Sequence, residues 1–406
     1  MKNKKLIICV AVLILLLAGI IAGLCSRGTT IAFYGVDDST RLALQNYVQD
    51  WAKEKNVKLK FSVLDDRKTL KSQALSVNNA ALVFTVSGHA VQFAADKSAR
   101  KSGFSPDLLS AMTSSMKSSA VLNADGSLVK ALPVLTDNFE ISVNYSAFKN
   151  SGLAAITTWN DLEAFFRQQK TKLDAPLNFA GGDSSVLLDL LGALAEAFDG
   201  AVEYNRAAEM IKSAAEKKWN HLALAESLCG SYNAPLYSAA KKLSEWYKAG
   251  YLNRDCFNYT EKDIKAYMNA RLSSTVFMPL NHHRRVDTNT IKFFSTIYLP
   301  SANLPGSRAF TAPVVYAVPQ KKNSKLALLA QYLTSVEGQE KLSRESGLAP
   351  VLSHCRTPDR QADDVRYWVA ATNSPLAGLS READLTKKQK DLLGEELGGI
   401  IRQGKF

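Results

Sequence analysis

The order of short apolar segments between residues 30 and 86 limits the fold more than any other feature of this chain. Residues 30–36 read as a buried strand ending in Tyr34 and Gly35, and Ser39 or Thr40 is the expected cap of a helix with Leu44, Tyr47, Val48 and Trp51 on one face. Leu59, Phe61 and Val63 then alternate as in a half-buried strand, a helical stretch follows near 70–75, and 80–86 is a continuous apolar run. A β-α-β-α-β order predicts a parallel sheet covered by helices. In such sheets a ligand settles beyond the carboxyl ends of the strands. Candidate binding loops are therefore 35–39, with Asp37 and Asp38, and 87–89, with Ser87 and His89. The competing role for Asp37, Asp38 and Ser39 is to cap the first helix.

Further along, residues 132–149 have strand character, and Thr157-Thr158-Trp159-Asn160-Asp161-Leu162 opens a helix with Leu162, Phe165 and Phe166 on one face. Helices are expected over 184–198, 203–217, 236–248 and 324–335, and buried strands over 274–278, 296–299 and 314–318. No internal repeat and no low-complexity linker divides this sequence. With 406 residues, enough for two cores, it is expected to form two lobes joined by crossing strands. The expected division is 28–138 plus 274–312 for one lobe and 139–273 plus 313–406 for the other.

Lys2, Lys4 and Lys5 precede an uncharged apolar run from residue 6 to residue 25, long enough to span a bilayer and built like an export signal. The basic end is expected to stay in the cytoplasm, with everything after about residue 28 outside, on the outer face of the membrane or in the periplasm. Ala22-Gly23-Leu24-Cys25-Ser26 offers two outcomes, lipidation at Cys25 or retention as an uncleaved helix. Either makes residues 1–27 an export signal or membrane anchor. The net charge of +12 is spread along the chain with no compact basic block, so nucleic acid is not an expected partner. Cys9 and Cys25 fall in the apolar segment; among Cys229, Cys256 and Cys355 one disulfide is possible, and the spacing does not choose it.

Beyond the first sheet, the ordered punctuation resembles the extracellular solute-binding proteins of the maltose-binding kind. The resemblance rests on Leu132-Pro133-Val134, Asp137, Asn144, Phe148, Gly152, Thr158-Trp159 and Leu162. It continues through Tyr247-Lys248-Ala249-Gly250-Tyr251, residues 267–278, Tyr298-Leu299-Pro300, the strand region starting at Phe310, and Glu337-Gly338-Gln339 to Gly347-Leu348-Ala349-Pro350. It covers roughly 30–350. Val143 stands where the family usually has Tyr, and Thr311-Ala312 where it usually has a glycine pair. The resemblance implies an α/β, two-lobed periplasmic-binding-protein-like fold, each lobe a mostly parallel sheet flanked by helices. It also implies capture of a small solute, a sugar or oligosaccharide, for an ABC transporter permease. It places Asp137 at the hinge, facing ligand, and Trp159 and Leu162 in packing.

Other ligand candidates are Asp183 and Ser184 after Gly181-Gly182, at a helix start where capping is the alternative, and Asn281, His282 and Arg284 just after the 274–278 strand. Adjacent His282 and His283 point apart in regular structure and cannot serve one metal. Tyr232, Trp219 and Trp368 are candidates for stacking on a sugar, with packing as the alternative. No GxSxG, HExxH or GxxxxGK[ST] motif is present. A hydrolase reading would need Asp137 paired with His89 or His282. The expectation is a monomeric binding protein, not an enzyme, without cofactor or metal; its alternative is a membrane-anchored sensory or interaction protein with the same fold.

Overall fold

The computed structural model describes residues 28–301, 309, 311–357, 360–372 and 375–406, with Arg360 and Gln361 described by backbone alone. The apolar run 6–25 with Cys25, and Phe310, lie outside the described residues. Among the described residues no helix is long and apolar enough to cross a membrane.

Strands β1 (Thr29–Phe33), β2 (Leu59–Val63) and β3 (Leu82–Val86) alternate with α1 (Asp38–Glu54) and are followed by α2 (His89–Lys97). β1 pairs in parallel with both β2 and β3. Leu44, Tyr47, Val48 and Trp51 form the buried face of α1. The cap is Asp37 instead of Ser39 or Thr40, because its carboxylate accepts from the backbone N–H groups of both. The expected helical stretch near 70–75 is a tight turn at Lys71–Gln73 running into a helix at Ala74–Asn79.

The chain continues through β4 (Val121–Leu122), β5 (Val129–Thr136), β6 (Phe139–Asn144), α3 (Trp159–Lys170), β7 (Leu177–Phe179), α4 (Ser184–Asp199), α5 (Tyr237–Lys248), β8 (Thr275–Pro279) and β9 (Phe294–Ile297). It ends with β10 (Val314–Pro319), α6 (Ser324–Leu333), α7 (Val336–Ser346), β11 (Ala349–Pro350), α8 (Arg360–Ala370) and α9 (Lys387–Gln403). Residues 145–149, read as strand from the sequence, form a short helix capped by the Asn144 side chain. The Thr158 start of α3 is a capping box with Asp161.

Two sheets result, one in the order β11-β5-β10-β3-β1-β2 with β4 on β5, the other β7-β8-β6-β9. Each has its own apolar core. Neither sheet is mostly parallel: β10 runs antiparallel to β3 and β5, and β6 antiparallel to β8 and β9. The parallel expectation holds for β2-β1-β3 and β7-β8, where helices connect the strands. Strands entering from the other lobe need no local crossover and are free to run the other way.

The expected division of the lobes is corrected by the same pairings. β8 and β9 bond to β6, so the stretch through residue 299 belongs to the second lobe, while β10 lies between β3 and β5 in the first. α6, α7 and α8 pack on the first core, and the chain returns to the second at Leu376 and stays there through α9. The connection is a hinge of three passes. Asp137 N–H donates to Pro313 O (2.8 Å), Phe139 N–H to Thr311 O (2.9 Å) and Ala312 N–H to Leu376 O (3.0 Å). The backbone of Thr311-Ala312 is thus occupied in tying the hinge together.

Candidate functional site

Between the lobes lies a cleft of about 850 Å³. The first lobe contributes the loops beyond the carboxyl ends of β1 and β2, residues 34–38 and 64–67, together with Arg41 and Val86. Gly35 makes the sharp exit from β1 possible with φ +70°, a left-handed conformation that costs glycine little. The second lobe contributes Asp183, Ser185, Val186 and Asp189 from the start of α4, Pro279, Asn281 and His282 from the end of β8, and Arg381, Leu385, Lys387, Lys390 and Asp391 near the C-terminus.

This wall is dense in charge, and most of the charges have partners. Asp37 receives the Arg285 guanidinium across the cleft (2.9 Å) and the Asn281 amide (3.2 Å); Arg285 also reaches the Ser39 hydroxyl. Burial raises the Asp37 pKa, but the hydroxyls of Thr40 and Ser39 and the Arg285 charge outweigh it and hold the carboxyl below its usual range. Asp38 pairs with Arg41 (2.8 Å), Asp65 with Arg67 (2.9 Å), and Asp391 with Lys387 (3.1 Å). Asp189 binds the Arg381 guanidinium and accepts from Ser380 N–H (3.0 Å).

Asp137 sits where the resemblance implied, at the hinge and on the cleft wall. Its Oδ1 accepts from the amides of Asn138 (2.8 Å) and Asn281 (3.2 Å). Burial pushes its pKa up to about 7, with the Asn138 amide and the Arg381 charge pulling the other way. Neither His89 nor His282 bonds to it. His282 faces the cleft with Nε2 3.4 Å from Glu261, and burial lowers its pKa against the pull of Glu261. His283 points into the second core, where Nδ1 lies 2.7 Å from the buried Glu140 carboxylate. The two adjacent histidines do point apart, and the acid-base pair needed for hydrolysis is not formed. Among the described residues no group of three His, Cys, Asp or Glu side chains is placed to hold a metal.

Of the residues proposed from sequence, Asp37, Asp38, Asp137, Asp183, Asn281 and His282 line the cleft. Asp183 also caps α4 by accepting from Ser185 N–H (2.9 Å). His89 lines a smaller side pocket beside the cleft. The others lie elsewhere. Ser87 is engaged with the Val314 backbone, and Ser184 packs beneath Gly394. Arg284 donates to the carbonyls of Ser343 and Leu348 on the first lobe (3.0 and 2.9 Å). Tyr232 is 82 % exposed, edge-on against Tyr237. Trp219 packs on the second core and Trp368 against Tyr298. Among the described residues, Phe33 and Tyr34 are the aromatic carbocycles that line the cleft. Cys229, Cys256 and Cys355 are buried free thiols. The sequence reading missed Asp65, Asp66, Asp189, Arg381 and Lys390; the carboxyl end of β2 pointed to the first two, while no local signal marks the rest.

No protein-family model and no curated protein sequence matches the chain. Solved structures do. A chitin oligosaccharide binding protein superposes with a TM-score of 0.67 at 15% identity, over 94% of this chain and 95% of its own. The binding protein MsmE of Bacillus subtilis, solved in an open conformation, gives 0.67 at 15% identity, over 94% and 93%. The SBP RafE in complex with raffinose gives 0.64 at 17% identity, over 93% and 100%. At such identities the likeness is one of architecture, and the chain has the two-lobed α/β fold of the solute-binding proteins.

Proposed function

We propose that the protein is an exported solute receptor that binds a sugar or oligosaccharide between its lobes and hands it to an ABC transporter permease. The observation that carries this reading is the cleft itself. It has the volume of a small-ligand site, it is walled by both lobes, and its polar groups come as donors and acceptors side by side, as a polyhydroxylated solute requires. Asp37, Asp66, Asp137 and Asp183 supply acceptors; Arg381, Lys390 and the Asn281 amide supply donors. The three-pass hinge supports closure over the solute, with hydrogen bonds from both walls replacing its water. The solved neighbours named for oligosaccharides and raffinose support the sugar class. The basic, apolar N-terminal segment supports export and attachment to the outer face of the membrane, either through Cys25 or as an uncleaved helix.

A thermal-shift screen of the protein against neutral and acidic sugars, polyamines and amino acids tests this reading. A sugar present at a hundred times its Kd stabilises the folded state by about 2.7 kcal/mol, which moves the melting temperature by several degrees. Stabilisation by polyamines or amino acids and by no sugar would refute the sugar assignment.

A further inference from the structure

Beside the main cleft, a side pocket of about 110 Å³ opens where the first lobe's α2 meets the second lobe's C-terminal segment. Tyr34, His89 and Ala90 line it from one lobe, and Ser185, Arg381 and Lys390 from the other. Its charges are unevenly matched. Arg381 is satisfied by Asp189, and Asp384, at the rim, is occupied on both oxygens by the amides of Leu70 (2.6 Å) and Lys71 (3.0 Å). Lys390 has no ion-pair or hydrogen-bond partner for its ammonium among the described residues; Asp66, Asp183 and Asp189 attract it only from a distance. Burial, and then the neighbouring Arg381 charge, lower its pKa, so the charged form is held at a cost that an anion would relieve. The pocket also receives the start of α2, a nine-residue helix whose N-cap is Gly88 and which no side chain caps. Its first-turn amides add partial positive charge. Gly88 is needed there, with φ +89°, because a Cβ would collide with the Arg381 carbonyl.

We infer that this side pocket is an oxyanion subsite between Lys390, Arg381 and the start of α2, and that the solute in the cleft is an acidic sugar whose carboxylate enters it. The inference rests on the sugar reading and narrows it. One uncompensated cation matches a monoanionic carboxylate better than a phosphate dianion. The rest of the sugar then lies toward Asp37, Asp137 and Asn281, where acceptors and an amide meet hydroxyls. Both lobes build the subsite, because α2 and Lys390 stand on different lobes and line one pocket.

Calorimetry on the full chain tests it with matched pairs, glucuronate against glucose and galacturonate against galactose, plus digalacturonate, with citrate as a non-sugar acid. The expected result is at least tenfold tighter binding of an acid than of its neutral partner, the gain of one charge-assisted contact. Lys390→Gln should collapse that ratio toward one and Lys390→Arg should restore most of it, with melting temperatures showing that both variants fold. Neutral sugars binding as tightly as the acids would overturn the subsite and leave the sugar reading standing. Binding of citrate in a Lys390-dependent way, with no sugar bound, would support the oxyanion pocket and overturn the sugar reading. Binding of none of these probes would overturn both.

Discussion

The first-lobe wall of the cleft is a set of consecutive strand-end loops, residues 34–38 and 64–67, whereas the second-lobe wall gathers residues 183–189, 279–282 and 381–391 from three distant parts of the chain. The first wall follows from local physics. A buried strand runs out at Phe33, Gly35 turns the backbone, and Asp37 caps α1 while presenting its carboxylate to the cleft. In the second wall only the starts of α4 and the turn after β8 are set locally. Arg381 and Lys390 arrive because the chain crosses back near Leu376 and α9 packs against the second core. One wall is thus written in the order of its residues, and the other in tertiary packing.

Substitutions can separate the two walls. The largest effect is expected in the second: Asp189→Ala leaves the Arg381 guanidinium without its carboxylate and Ser380 N–H without its acceptor, and should cost about 3 kcal/mol of stability by denaturant unfolding. Asp137, at the hinge between the walls, should show a pH signature. Its ordinary value is 3.8 and burial lifts it to about 7, so the folded protein holds this proton while the unfolded chain releases it. The stability Asp137 contributes is complete below about pH 4 and is lost as pH rises to 7. Subtracting the unfolding profile of Asp137→Asn from that of the parent should isolate a decline across that window; a flat difference would place the carboxyl in a solvated setting. For Arg285→Ala, which removes the ion pair joining the walls, a stability change under about 1 kcal/mol is expected because both partners are partly exposed. Solute affinity should weaken more than stability does, since the pair joins the two lobes. Tyr232→Ala should change neither solute affinity nor melting temperature measurably, because its ring is exposed and outside the cleft; loss of binding in that variant would mean a second sugar-contacting surface.

What the sequence made legible follows the same split. Alternation at Leu59, Phe61 and Val63 and the face Leu44, Tyr47, Val48, Trp51 marked β2 and α1, because period is a local property. Asp37 was visible as a strand-end residue, and His282 and His283 could be assigned to opposite sides because neighbouring side chains diverge. The lobe to which β8, β9 and β10 belong was not visible. Each is an apolar strand that would satisfy either sheet, and register against β6 or β3 decides. Arg284 and Ser87 lie at the expected loops yet turn to backbone partners, Arg284 on the other lobe and Ser87 on the neighbouring strand β10, a choice made by three-dimensional neighbours. Arg381 and Lys390 carry no motif, and only the return of the chain gives them a role.

Hydrogen–deuterium exchange with and without the tightest-binding sugar tests joint binding by the two walls most directly. Simultaneous protection is expected in residues 34–41 and 63–67 of the first lobe and in 279–285 and 379–391 of the second, with the 136–139 hinge pass slowed as well. Protection confined to one wall, or located away from both, would contradict a solute held between the lobes.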